Sequence, residues 1–548
     1  MIHALASAVS RLLLSLLFLV SGPAPLHARE ESPPLHVTTT VLNQAAAPCS
    51  GAFVARDLDH FTSVAGATVD QFEANGSGVA IGDLDNDGDL DIVLGNDAGR
   101  NTILWNKGDL HFRTERMPHG DTRAVNLVDV DGDGWLDIVF TRRTGGLTYW
   151  RNSGAADFVR QTLPGIAHPA YALAWADLDR DGDLDLVTGS YDAGLLSDLG
   201  NSFLLQGSGG VYVYENRDGR FRGATLAGSA QAMAIQLFDA DRDGQPDIVV
   251  GNDFNVPDYL WLQGADGWQA ARFDATSHST MSLDAGDIDN DGVPELFSTD
   301  MMPYDDGPAT VAAWEPMMAS MVAPHLPGDP QIMSNTLQVY TGVTGYQNAA
   351  RQRGLDATGW TWSAKFGDLD SDGLLDLYAV NGFMEATIFA ALPNHELVEE
   401  NQALRNLGNG RFRPAPQWQL NSTSSGRGMS MADLDGDGDL DIVVNNLRAP
   451  AQLFENRLCG SEGVQVDLRW PGSGNTQAIG ATVALHTDAG TFWRDVRSGS
   501  GYLSGDASRL HFGVPAGATL RSLEIRWPDG VVSAVTNPAP NTLLTVTR

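Results

Sequence analysis

Seven times along the chain three aspartates alternate with other residues, a glycine follows, and a fourth acid closes a nine-residue run, D-x-D-x-D-G-x-x-D. The acids of the first three copies are Asp83, Asp85, Asp87 and Asp91; Asp129, Asp131, Asp133 and Asp137; and Asp177, Asp179, Asp181 and Asp185. The next two copies hold Asp239, Asp241, Asp243 and Asp247, then Asp287, Asp289, Asp291 and Glu295, the one copy that ends in glutamate. The last two hold Asp368, Asp370, Asp372 and Asp376, then Asp433, Asp435, Asp437 and Asp441. Side chains at positions 1, 3 and 5 of such a loop converge on one point. A carbonyl at position 7 and a bidentate carboxylate at position 9 complete a shell for a hard cation that takes six to eight oxygens at about 2.3–2.6 Å. Magnesium prefers a tighter octahedron with retained water, so the expected ion is Ca²⁺, at about seven sites. Glycine at position 6, Gly88 in the first copy, permits the sharp turn.

A polar hairpin turn that binds nothing needs only one or two such residues, whereas each copy here holds four or five acids. EF-hand loops share the pattern but lie between helices. Here the flanks are short and β-branched, "VAI" before and "DIVLG" after the first loop, and read as strands. A second hairpin follows most loops, as in "LWNKGDLHF", "VYENRDGRF" and "LRNLGNGRF", giving four strands per unit. Successive copies begin 46, 48, 62, 48, 81 and 65 residues apart. The spacing predicts an all-β fold: a seven-bladed β-propeller over 50–460, followed by a small C-terminal β domain over 461–548. The 81-residue gap has room for an eighth blade without a loop. Trp105, Trp150 and Trp261 recur at repeat positions and are expected in the core. In the C-terminal segment "VQVDLRW" and "LEIRW" alternate as half-buried strands.

The formal charge of −35 excludes nucleic acid and anionic membranes as expected partners. Of the 69 acidic residues, 31 lie inside the seven loops, so seven Ca²⁺ would cancel 14 negative charges. Residues 1–28 contain Arg11, the apolar run Leu12 to Val20 and small residues up to Ala28, which predicts a secretory signal peptide. Nine apolar residues are too few to span a bilayer, and residues 29–49 read as a linker. Export to the periplasm, cell surface or medium suits the ion, since extracellular modules bind calcium at about 10⁻⁴–10⁻³ M. Cys49 and Cys459, the only two cysteines, lie just before the first blade and just after the last hairpin. Ring closure predicts a disulfide between them.

The repeats resemble the FG-GAP/VCBS repeats of integrin-α-type propellers over about three quarters of the chain. The resemblance implies Ca²⁺ in each loop and a role in extracellular recognition. "GSGYLS", "LHFG" and "WPDG" are similar to the ASPIC/UnbV domain that follows such propellers in cartilage acidic protein 1-like proteins. "NDFNVPDYLW" and "HSTMSLDAGDIDNDG" resemble the same family.

No G-x-S-x-G elbow, H-E-x-x-H pair or phosphate loop occurs in the sequence, and "HELVE" at His395 to Glu399 reads as a solvated helix face. Two functions remain. The chain is an exported Ca²⁺-dependent interaction or adhesion module for an extracellular protein or glycan, or an extracytoplasmic enzyme of lyase or hydrolase type. Blade lengths place the partner surface. From loop position 9 to the turn Asn, Asp91 to Asn106 and Asp441 to Asn456 are 15 residues apart, but Asp185 to Asn216 is 31. Extra residues at about 191–210, 301–336 and 382–402 are expected to crowd the face away from the loops. Their "MMPYDDGP", "WEPMMASM" and "MEATIFAAL" segments are expected to expose Met and aromatic side chains.

Overall fold

A computed structural model describes residues 35–43, 48–154, 157–206, 209–318, 328–342, 345–458 and 462–548. The expected signal peptide and Cys459 lie outside the described residues; Cys49 is disulfide-bonded. The described residues belong to one compact unit, Pro34–Arg548, and none of their helices is long and apolar enough to cross a membrane.

Each acidic loop joins the first two of four antiparallel strands; in blade two these four belong to a six-stranded sheet and in blade six to a five-stranded one. In blade one these are Val79–Gly82 and Asp91–Leu94, followed by Thr102–Asn106 and Phe112–Arg116. Both faces of the inner strands pack on neighbouring sheets, so "DIVL" and its counterpart Asp137–Phe140 are buried at every position. Alternation gives way to continuous apolar runs because no face meets water. Only the outermost strand, Phe112–Arg116, keeps partial exposure along its length. Trp105, Trp150 and Trp261 are core residues as expected.

Blade seven takes its outer strand from far back in the chain. Val54–Phe61 pairs with Pro450–Glu455 beside Asp441–Asn446 and Gly426–Ala432. Its inner strand then packs against Val79–Gly82 of blade one, closing the ring. The long gap between loops five and six holds, among the described residues, an insertion and no further four-stranded sheet.

The C-terminal domain is built from two four-stranded sheets. Thr491–Asp495, Thr482–Thr487, Leu520–Arg526 and Val532–Thr536 form one. The other orders His36–Val41, Thr542–Thr547, Glu462–Arg469 and Leu510–Val514. His36–Val41 was expected in a linker; its β-branched "VTTTV" instead supplies an antiparallel edge strand to Thr542–Thr547. Val464, Val483, Phe512 and Trp527 share one buried cluster with Trp175 and Tyr214 of blade three, so the domain's core is continuous with the ring.

A hairpin of this domain, Gly499–Ser500 paired with Ser504–Gly505, fills the centre of the ring. The backbone N–H of Val79 (blade one) and Met429 (blade seven) donate to Ser504 Oγ at 3.4 and 3.1 Å. Val125 N–H donates to Leu503 O at 3.0 Å and Gly501 N–H to Leu283 O at 2.7 Å, reaching blades two and five. Trp175 N–H donates to Ser498 Oγ at 2.9 Å and Tyr502 N–H to Ser363 Oγ at 3.2 Å, reaching blades three and six. The inner strand of blade four packs on the same hairpin. The fit leaves no spare volume, since a Cβ on Gly78 would lie 1.7 Å from Leu503 O. Gly78→Ala is expected to lose about 1–3 kcal/mol of stability, the usual cost of overpacking; an unchanged urea midpoint would refute the fit.

The insertions bury part of their large side chains in a shared cluster, while Leu196, Leu199, Leu205, Val311 and Val398 stay exposed. Met301, Trp314, Met317 and Phe389 are buried in one cluster with Tyr502, Trp360 and Phe383, which contradicts the expected exposure at these four positions, whereas Met302, Tyr304, Met318 and Met384 are half-exposed. "HELVE" is likewise not a solvated helix. Glu396–Leu397 is a short strand paired with Phe383–Met384. Glu399 is buried, accepting hydrogen bonds from Trp360 N–H at 2.7 Å and Trp314 Nε1–H at 3.2 Å.

Candidate metal centres

Every loop folds by the same set of backbone bonds. The position-1 carboxylate accepts from the amide of position 6 in each copy, as from Gly88 to Asp83 Oδ2 at 3.1 Å and from Gly134 to Asp129 Oδ2 at 2.7 Å. The position-5 carboxylate accepts from the amide of position 7, as from Asp89 to Asp87 Oδ1 at 3.0 Å. Position-6 glycines all have left-handed backbone, with φ between +86° at Gly292 and +99° at Gly88. Position 4 is left-handed too, at Asn86, Arg180, Arg242, Asn290 and Ser371 as well as at Gly132 and Gly436. Asn and Gly in four of those places were the signal for this second turn, which the sequence reading missed.

This backbone brings the acids together. Single carboxylate oxygens of Asp83, Asp85 and Asp91 lie within 4.8 Å of one another, as do those of Asp129, Asp131 and Asp137, and of Asp177, Asp179 and Asp185. In loops four and five the close sets are Asp239, Asp241 and Asp243, and Asp287, Asp289 and Asp291, with position 5 in place of position 9. In loop six the charges of Asp372 and Asp370 bear on Asp368, and in loop seven Asp437 bears on Asp433.

The donor set fits a hard divalent cation. Oδ1 of Asp85, Asp177, Asp239, Asp289 and Asp368 is buried and has no hydrogen-bond partner among the described residues, a state that costs free energy unless a cation meets it. Oxygen-only ligands of this number suit Ca²⁺, which would be held by positions 1, 3 and 9 in loops one to three and by positions 1, 3 and 5 in loops four and five.

Position 9 also has a structural task that its spacing did not disclose. Asp91 Oδ2 accepts from Leu84 N–H at 3.1 Å and Oδ1 from Asn106 N–H at 2.8 Å, pinning the start of the loop to the third strand. Asp137, Asp185, Asp247, Asp376 and Asp441 repeat both bonds, while Glu295 accepts from Ile288 N–H at 3.1 Å. The turn asparagine then ties blades together: Asn106 Nδ2–H donates to Leu434 O of blade seven at 2.7 Å, and Asn152 Nδ2–H to Leu84 O of blade one at 2.8 Å. Gln263, Asn406 and Asn456 bond the preceding blade in the same way.

Burial, opposed by these amides, raises the carboxyl pKa values. Asp91 and Glu295 are pushed up to about 8, Asp137, Asp185 and Asp247 to about 7, and Asp83, Asp177 and Asp287 to about 6. Unfolded carboxyls titrate near 4, so the metal-free folded state binds extra protons. That contribution to stability is complete below about pH 4 and is lost as pH rises through about 6–8. The metal-free protein is therefore expected to melt at falling temperature from about pH 5.5 to 8, and the calcium-supplied protein not to fall, because the cation displaces the protons. A metal-free melting temperature that climbs across this window would contradict the assignment.

A ring of four-stranded sheets, each with an acidic loop between its first two strands, defines an acidic-loop β-propeller. The model of an FG-GAP-like repeat matches residues 83–140, 129–188, 202–250, 239–298 and 388–444, and that of ASPIC and UnbV matches 470–548. The chain is an FG-GAP-repeat protein with a C-terminal ASPIC/UnbV domain. No curated protein matches it. Among solved structures it is similar to BBS1N, crystallised in complex with ARL6DN, at 11% identity over 74% of this chain and 97% of that one, TM-score 0.39. It is similar to the Pan2 WD40 domain of Neurospora crassa at 8% identity over 70% and 90%, TM-score 0.40. It is also similar to the rhamnogalacturonan lyase PL11 of Bacillus licheniformis at 13% identity over 74% and 76%, TM-score 0.37.

Proposed function

We propose that the protein is an exported calcium-binding propeller that serves as an interaction module for an extracellular protein or glycan. The observation that carries this reading is the set of buried, unpartnered carboxylate oxygens gathered in the repeated loops. Such oxygens favour a cation that is available at millimolar concentration outside the cell. The hub hairpin and the ties between blades make a rigid platform for recognition. The insertions, with Trp314, Met317 and Phe389 buried beside Tyr502, serve in part as a cover for the hub.

Immobilised protein, challenged with a glycan array and with a native extracellular fraction, is expected to retain a partner in millimolar Ca²⁺ and to release it in EDTA. Retention that EDTA leaves unchanged would contradict the reading.

A further inference from the structure

A cleft of about 880 Å³ separates the loop-bearing side of blades three to six from the C-terminal domain, a volume that suits a small ligand. Residues that line it hold buried polar atoms without a hydrogen-bond partner among the described residues. Trp175 Nε1, Gln236 Oε1 and His511 Nδ1 belong to lining residues more than nine-tenths buried, and none has a hydrogen-bond partner among the described residues. Asp506 stands beside them. Ser500 Oγ–H donates to its Oδ1 at 3.1 Å and Lys365 Nζ–H donates to the same atom, while Oδ2 faces Arg497 at 3.6 Å without a hydrogen bond. Trp493 contributes a half-buried aromatic side chain to the wall.

Loop four borders this cleft and is the open one. Its first aspartate, Asp239, is partly exposed and Asp241 and Asp243 are exposed, whereas the first aspartates of the other six loops are buried. The C-terminal domain reaches several of the others, with Arg509 on Gly88 O, Thr476 on Asp129, Asn475 on Gly182 O and Gly513 on Asp368. One divalent cation in each of loops three to five would cancel six of their thirteen negative charges, and Arg180, Arg242, Arg509 and Arg526 on the cleft wall would offer local positive partners beside them.

Recessed single donors and acceptors side by side suit hydroxyl groups, which both donate and accept. An aromatic wall suits the apolar face of a sugar ring. Acceptors such as Gln236 Oε1 and Asp506 Oδ2 disfavour a ligand made only of carboxylates, while the arginines favour an isolated one. We propose that this cleft binds an oligosaccharide bearing uronic acid units, its hydroxyls toward Gln236, Asp506 and Trp175 and a carboxylate toward loop four and the arginines. The proposal rests on the calcium reading and names the ligand class within it.

Titration calorimetry of the full protein in millimolar Ca²⁺ would use oligosaccharides of hyaluronan, chondroitin and glucuronan, their carboxyl-reduced neutral forms, and polyglutamate. At least one uronate should bind, its carboxyl-reduced form and polyglutamate about tenfold or more weakly. Trp493→Ala, at a half-exposed position, and Gln236→Leu should each weaken binding about tenfold while melting near the wild type; Asp241→Asn with Asp243→Asn, which removes calcium ligands, should weaken binding as much and also lower the melting temperature in Ca²⁺. No uronate binding, equal binding of the neutral forms, a preference for polyglutamate, or folded Trp493→Ala protein that binds like the wild type would overturn the proposal. Calcium content of the same samples separates the two claims: loaded protein that ignores uronates sinks the cleft alone, and protein without calcium sinks the reading beneath it.

Discussion

In excess EDTA the protein is expected to melt roughly 5–20 °C below its melting temperature in millimolar Ca²⁺. Extracellular-type sites with Kd of about 10⁻⁴–10⁻³ M contribute about 0.4–1.4 kcal/mol each at millimolar calcium, or about 3–10 kcal/mol over seven loops. That range is comparable with the whole stability of a typical domain, about 5–15 kcal/mol. The opposing term is repulsion: two unit charges about 4 Å apart cost about 4 kcal/mol at an effective permittivity near 20, and each close set brings three carboxylates within 4.8 Å. Lys107 pairs with Asp85 and Asp87, Arg151 with Asp131 and Asp133, and Arg353 with Asp289. Surface pairs of this kind supply only about 0–1 kcal/mol each, too little to replace the ions. Superimposable scanning-calorimetry traces with and without chelator would contradict the argument.

Tyr502→Ala is expected to cost about 3–5 kcal/mol, the loss typical of a buried aromatic. Tyr502 is fully buried at the tip of the hub hairpin, its ring 5.3 Å from that of Trp362. Its hydroxyl donates to Asn75 O at 3.0 Å and lies 3.0 Å from the Tyr171 hydroxyl, linking the C-terminal domain to blades one and three. Tyr502→Phe removes only the hydroxyl bonds and should cost about 1 kcal/mol. Denaturant unfolding of the two variants separates ring from hydroxyl, and equal small losses would show that the hairpin does not hold the hub.

What was legible in the sequence was what repeats within a few residues. The nine-residue acid spacing, the position-6 glycines and the strand flanks are local, and the loops between first and second strands follow from them. The second task of Asp91 was hidden because its partner amide, on Asn106, lies 15 residues on. The bond of Asn106 to Leu434 O spans 328 residues, which no local pattern encodes. "GSGYLS" stood out as a motif, yet its partners run from Asn75 to Met429 along the chain, so its place at the hub emerged only in the fold. Trp314, Met317 and Phe389 were misjudged as exposed because each insertion looks unpartnered until all three converge. "VTTTV" at 37–41 has strand character, but its neighbour, Thr542–Thr547, is at the other end of the sequence.

Native mass spectrometry of the full protein, in volatile buffer that keeps calcium in the millimolar range its sites require, counts the ions directly. The loops predict a species carrying about seven Ca²⁺, falling by one in Asp435→Asn protein and by all on chelation; a spectrum dominated by the calcium-free mass under saturating conditions would contradict the assignment.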